Sequence, residues 1–98
     1  MATALEKNET AILSRALAPE NGNLSPEAAR SLLAIELSPA DSRELRRLAE
    51  LAKAGSLSAA DEADLENYRH VGRLLELLKS KARISLKRAA GSADEAGT

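Results

Sequence analysis

The sequence has no cysteine, no tryptophan and no phenylalanine, and only one histidine, one tyrosine and one methionine. Without cysteine there can be no disulfide, no thiolate metal site and no cysteine nucleophile. With His70 as the lone histidine, a multi-histidine metal site cannot form within one chain, and a Ser-His triad has little to draw on. β-Branched and aromatic residues, the usual makers of strands, are scarce: there are three Ile, three Thr, one Val and one Tyr. No apolar run approaches the ~20 residues that span a bilayer. Met1–Thr10 carries Glu6, Lys7 and Glu9 with no long apolar stretch, so no secretory signal is expected and the cytoplasm is the expected compartment. The five glycines follow neither the G-x-G-x-x-G nor the G-x-x-x-x-G-K spacing of phosphate loops.

What remains is leucine, alanine and charge. The chain is 98 residues long, with 20 Ala and 17 Leu, and charged residues make up 30% of it. Small and unbranched apolar residues favour closely packed helices, so the expected fold is all-α. One domain is expected over residues 1–90, followed by a disordered tail over 91–98 that is rich in Gly, Ser, Ala and acids.

Three segments carry one helix-start signal: Leu24-Ser25-Pro26, Leu37-Ser38-Pro39 and Leu57-Ser58-Ala59. Each Ser hydroxyl can accept a backbone N–H of the first turn, and Pro at the next position gives up an N–H that has no intrahelical partner. Glu27, Asp41, Asp61 and Glu62 follow within the first turn, where the helix dipole favours acids. The spacing predicts helices over about 26–36, 39–54 and from 59 onward. A first helix is predicted over about 4–18 from Leu5, Ile12, Leu13, Ala16 and Leu17, ended by Pro19 and Asn21-Gly22-Asn23. Leu45, Leu48, Ala49, Leu51 and Ala52 form the inner face expected of the third helix, and Gly55 suits a left-handed cap after it. The short turn that follows makes the third and fourth helices an antiparallel hairpin.

The fourth helix is the informative one. Wound at 100° per residue, Leu65, Tyr68, Val71, Gly72, Leu75, Leu78, Ala82 and Leu86 share a broad face. A narrower edge stripe holds His70, Leu74, Leu77, Lys81 and Ile84. Gly72 lies inside the helix at a cost of roughly 1 kcal/mol relative to Ala, which close packing against another helix would offset. The helix is predicted to outrun its hairpin partner by roughly 20 Å. If the first two helices fold back over the broad face, Leu77 and Ile84 remain for an intermolecular contact. Leu74, Leu77, Lys81, Ile84 and Arg88 are therefore the expected partner-binding residues, with Lys81 and Arg88 at the rim.

Charge is segregated along the chain. Residues 1–68 carry net −5, and residues 69–90 carry net +6. The basic set is Arg69, Arg73, Lys79, Lys81, Arg83, Lys87 and Arg88, with Glu76 the one acid among them. Bases toward the end of a helix suit its dipole. The same residues can dock an acidic protein or nucleic acid, although stacking aromatics and a groove-reading motif are missing. Glu62, Glu66 and His70 stack on successive turns, and Glu66–His70 reads as a surface pair rather than part of a metal site, because Glu-x-x-His pairs are absent. Tyr68 reads as a core residue with its hydroxyl at the rim. The basic stretch from Lys79 to Arg88 lacks the Trp or Phe of a membrane-surface helix. No catalytic residue, metal, cofactor, small-molecule substrate or membrane contact is expected. The expected function is a non-enzymatic accessory protein that docks a partner, or itself, through the long C-terminal helix. A nucleic-acid-associated regulator using the basic end is the alternative.

The stretch from Leu37 to Lys87 resembles a group of small uncharacterised bacterial helical proteins. Their pattern is a Leu-Ser-Pro capped hairpin followed by Tyr-x-x-Val-Gly-x-Leu-Leu-x-Leu-Leu-x-Ser-Lys-Ala-Arg. Tyr68, Val71, Gly72, Leu74, Leu75, Leu77, Leu78, Ser80, Lys81, Ala82 and Arg83 carry the match, which covers about half the chain. Ser58-Ala59-Ala60 departs from it, where Pro and Glu are usual. Similar-looking small helical proteins accompany HNH-nuclease-type genes, in a pairing like that of antitoxin and toxin. The resemblance thus implies an antitoxin-like accessory role and no reaction.

Overall fold

A computed structural model describes residues 5–97, with side chains through residue 91. Four helices make up the fold: α1 (Glu9–Leu17), α2 (Pro26–Leu33), α3 (Pro39–Lys53) and α4 (Ala59–Gly97). No strand occurs among the described residues. The chain divides into two compact units: Met1–Ile35 with Arg73–Thr98, and Glu36–Gly72. The physical reason is the length of α4. Its residues up to Gly72 belong with α3, while those from Arg73 belong with α1 and α2.

All three serine caps form. Ser25 Oγ accepts the Ala28 N–H at 3.2 Å, Ser38 Oγ that of Asp41 at 3.1 Å, and Ser58 Oγ that of Asp61 at 3.0 Å. Pro26 and Pro39 open their helices as N1 residues. A fourth cap was not legible from the sequence. Asn8 accepts the Ala11 N–H at 2.9 Å, so α1 starts at Glu9 and leaves Leu5 outside it, 61% exposed. Helix α2 stops at Leu33, short of 36, because Leu37 precedes the Ser38-Pro39 cap and the chain must extend there. Gly55 takes the left-handed conformation after α3, with φ +70°.

In the hairpin unit, Leu48 and Leu65 are buried. Around them, Arg47 Nη2 lies 3.4 Å from Asp61 Oδ1, and Tyr68 donates to Asp41 at 2.7 Å. These pairs run in opposite senses along the two helices, which makes α3 and the start of α4 antiparallel. Ala49 is exposed, outside the inner stripe assigned to it. Gly72 is exposed too, and a Cβ built there meets nothing within 4 Å. Close packing therefore does not explain it.

In the other unit the close-packed glycine is Gly22. A Cβ there would stand 2.8 Å from Ile84 Cγ2, 2.9 Å from the Ile84 carbonyl carbon and 2.9 Å from Ser85 N. Two of these three atoms are helix backbone, which cannot step aside as a side chain can. The loop after α1 thus lies directly on α4. Ala29 and Ala82 are fully buried in this unit, whereas α1 buries no residue completely. Helix α4 continues past Gly91 to Gly97, where the sequence predicts a disordered tail. Ala89, Ala90, Ala93 and Ala96 are strong helix formers, and one glycine costs only about 1 kcal/mol.

The two glycines give opposite expectations on substitution. Gly22→Ala should lower stability by about 1–3 kcal/mol through overpacking. Gly72→Ala should raise it by up to about 1 kcal/mol through helix propensity. Thermal melts of the two variants check both signs; a loss at Gly72 or a gain at Gly22 contradicts the packing described.

Candidate functional site

The edge stripe expected to face a partner is largely engaged within the chain. Lys81 is 8% exposed, and its ammonium sits at the C-terminus of α1. It donates to the Leu17 carbonyl at 2.6 Å and to the Asn21 carbonyl at 2.9 Å, with Ala18 O farther away at 3.5 Å. The last carbonyls of a helix lack intrahelical partners and carry its negative dipole end, so a cation there is doubly favoured. Ser85, one turn on, is 1% exposed. Its hydroxyl donates to Lys81 O at 2.8 Å and accepts the Leu24 N–H at 3.1 Å. Neither role was legible from the sequence. The signal that could have found them is a lysine and a serine at i, i+4 set beside Leu78, Ala82 and Leu86 on one side of the helix.

Two expectations are corrected by this arrangement. Lys81 is not a rim residue, and Ile84 lies against Gly22 rather than on an open face. The reason is that α1 and the loop to α2 cover α4 around Lys81, Ala82 and Ser85, between the broad face and the edge stripe. Of the remaining partner-binding candidates, Leu74 and Leu77 are half-buried and Arg88 is exposed. The basic set is likewise divided. Arg69 belongs to the hairpin unit and lies 3.9 Å from Glu66. Arg73, Arg83, Lys87 and Arg88 are exposed in the other unit, Lys79 is half-buried there, and Lys81 is buried.

Two open hollows lie where α1 meets α4. One, of about 420 Å³, is lined by Thr10 of α1 and by Arg73, Glu76, Leu77, Ser80 and Arg83 of α4. Leu77 gives it an apolar wall, the two guanidinium groups add positive charge, and Arg83 pairs with Glu76. The other, of about 330 Å³, is lined by Glu9, Ile12, Leu13 and Ala16 of α1 and by Leu74. The first can bind carboxylates beside an apolar group. The second can receive an aliphatic side chain. Among the described residues, no group of three or more His, Cys, Asp or Glu is placed to hold a metal ion, and no helix is long and apolar enough to cross a membrane.

The hairpin unit holds a second electrostatic arrangement. Asp41 accepts from Tyr68 through Oδ1 at 2.7 Å and from Ser38 Oγ through Oδ2 at 2.9 Å. The Tyr68 hydrogen bond, helped by that of Ser38, holds the Asp41 carboxyl below its ordinary value. The same bond to Asp41, with partial burial and the negative charges of Asp41, Glu44 and Asp64, pushes the Tyr68 phenol up to about 12. Tyr68 thus has its hydroxyl at the rim of the helix pair, as its position on the helix suggests, and it stays neutral at physiological pH.

Two measurements follow. Tyr68 is the only tyrosine and there is no tryptophan, so ultraviolet difference absorbance should report its ionisation alone. The midpoint should lie near about 12, and Asp41→Ala should move it down toward 10.0. Because the folded state keeps this proton while the unfolded state loses it, stability should fall as pH rises from about 10 to about 12. The Asp41 contribution has the opposite sense: it is present above about pH 3.9 and lost as pH falls through the lowered carboxyl value. Separately, Lys81→Met should cost about 1.5–3 kcal/mol, the worth of hydrogen bonds to a charged group, read from denaturant unfolding. No change would mean that the ammonium does not hold α1.

Compared with known proteins, the chain matches no family model, no curated protein and no solved structure.

Proposed function

We propose that this chain is a small, non-enzymatic, cytoplasmic interaction protein in which the α1–α4 groove docks an acidic amphipathic segment of a partner protein. The observation that carries the reading is the groove itself: Leu77 beside Arg73 and Arg83, with Thr10 and Ser80 as hydroxyl donors. An acidic helix with one apolar face complements Leu77 and the positive charge of the two arginines at once. The Arg83–Glu76 pair is exposed on both sides. Such pairs contribute only about 0–1 kcal/mol, so a partner carboxylate can take the place of Glu76 at little cost. The exposed positive charge of Arg73, Arg83, Lys87 and Arg88 also draws an acidic partner in from a distance. That same charge favours a second reading, an antitoxin-like regulator that binds nucleic acid, in keeping with the resemblance of the Leu37–Lys87 stretch. Lys81 weakens it, since its charge is spent on carbonyls inside the fold.

Fluorescence anisotropy with two labelled probes, an amphipathic Glu/Leu-rich helical peptide and a DNA duplex, separates the readings. The peptide should bind. Leu77→Ser should weaken it by about 10- to 100-fold, the equivalent of one leucine at about 1.5–3 kcal/mol. Arg73→Glu with Arg83→Glu should weaken it further. Binding to the duplex alone, steeply lost with salt and indifferent to Leu77→Ser, would give the second reading instead.

A further inference from the structure

The exposed side of α1 that borders Leu74 carries a pattern that is its own complement. Glu9, Ile12, Leu13 and Ala16 stand at i, i+3, i+4 and i+7, the four corners of the hole that accepts a knob from another helix. The structure shows that hole open, as the 330 Å³ hollow with Leu74 at its side. A knob of the right kind stands next to it: Ile12 is 50% exposed, in a chain whose leucines are mostly half-buried or buried. Charge supplies the second observation. Glu9 and Arg15 lie three residues to either side of Ile12, about 4.5 Å along the axis each way, and both are exposed. The row Glu9–Ile12–Arg15 therefore reads acid, apolar, base. Turned end for end, it is its own complement. Ala16, also exposed, adds no bulk that would hold a second helix off.

We propose that the occupant of this face is a second copy of the chain, joined through a twofold axis near Ile12. In an isologous contact each residue that touches a partner residue is touched by it in return. Ile12 of each copy meets Ile12 of the other at the axis, beside the open hollow, and Glu9 of each faces Arg15 of the other. The i±3 row is inclined to the helix axis by about 45°, so laying two such rows antiparallel makes the α1 helices cross steeply. A steep crossing of two nine-residue helices gives a small interface, and the association is reversible. This surface differs from the α1–α4 groove with Arg73, Leu77 and Arg83, so the self-pairing and the docking of an acidic segment stand or fall separately.

Sedimentation velocity over a concentration series tests the pairing, with circular dichroism confirming that each variant remains helical. The native chain should form a reversible dimer, and Ile12→Asp should be monomeric. Glu9→Arg and Arg15→Glu should each weaken association at least tenfold, because each places like charges together twice. An equimolar mixture of those two variants should associate again, since the mixed pair sets two bases on one copy against two acids on the other. The double variant Glu9→Arg/Arg15→Glu should self-associate like the native chain. A native chain that stays monomeric, single reversals that dimerise unchanged, or a mixture that fails to recover would each overturn the proposal.

Discussion

A single ammonium group sets the position of α1. Helix α1 has nine residues and none of them is fully buried, so apolar burial cannot fix it alone, and a helix this short is marginal in isolation. What fixes it is Lys81, whose Nζ collects carbonyls from the last residue of α1 and from the turn beyond it. A buried charge without partners costs several kcal/mol. Here carbonyl oxygens replace water around it, and the helix dipole adds to them. The four methylenes of the lysine are buried along with the ammonium and need no polar partners. The arrangement explains why Ala18 can hold the left-handed conformation, φ 43°, which costs a non-glycine residue roughly 1–2 kcal/mol. Only by turning sharply there does the chain bring the carbonyls of Leu17 and Asn21 to one point.

Gly22 and Ser85 complete the same joint. The loop must lie close to α4 for Asn21 to reach Lys81, and Gly22 lets it come within contact of the Ile84–Ser85 backbone. Ser85 then takes up the Leu24 N–H just before the Ser25 cap of α2. A mid-helix serine bonded to the i−4 carbonyl ordinarily adds nothing to a helix. Its value here lies in the second bond, which satisfies a donor that the close approach of the loop removes from water. Buried polar groups are tolerated when all their partners are present, and no buried side-chain nitrogen or oxygen among the described residues lacks one. With Ala29 and Ala82 as the fully buried apolar residues of this unit, hydrogen bonds take over a positioning role that larger side chains fill in a thicker core.

The sequence made the helices legible because their starts are encoded locally. Ser25, Ser38 and Ser58 each act within three residues, and Gly55 acts on its own backbone, so spacing alone exposes them. Asn8 escaped because the helical pattern runs through it: Leu5 sits in register with Ile12, and only the side chain of Asn8 marks the stop. The joint around Lys81 was illegible for a different reason. Its bonds span some 60 residues of sequence, and a lysine on a helix edge looks the same whether it meets solvent or carbonyls. Leu77 and Leu74 could be singled out as apolar positions left over on α4, but which part of α1 would border them could not. Ile84 was misplaced because the covering element is a loop, and a glycine loop leaves no periodicity to read.

Both hollows use α1, one through Thr10 and the other through Glu9, Ile12, Leu13 and Ala16. Their walls therefore exist only while α1 is seated. Anything that binds either wall in the folded state stabilises that seating by mass action, and the two surfaces are coupled through it even without touching. The coupling has a natural limit. It can amount to no more than the free energy needed to unseat α1, and that is governed chiefly by Lys81. The charge that composition assigns to an outward basic patch thus acts from inside. By holding one short helix against α4, Lys81 determines whether the chain presents either surface at all.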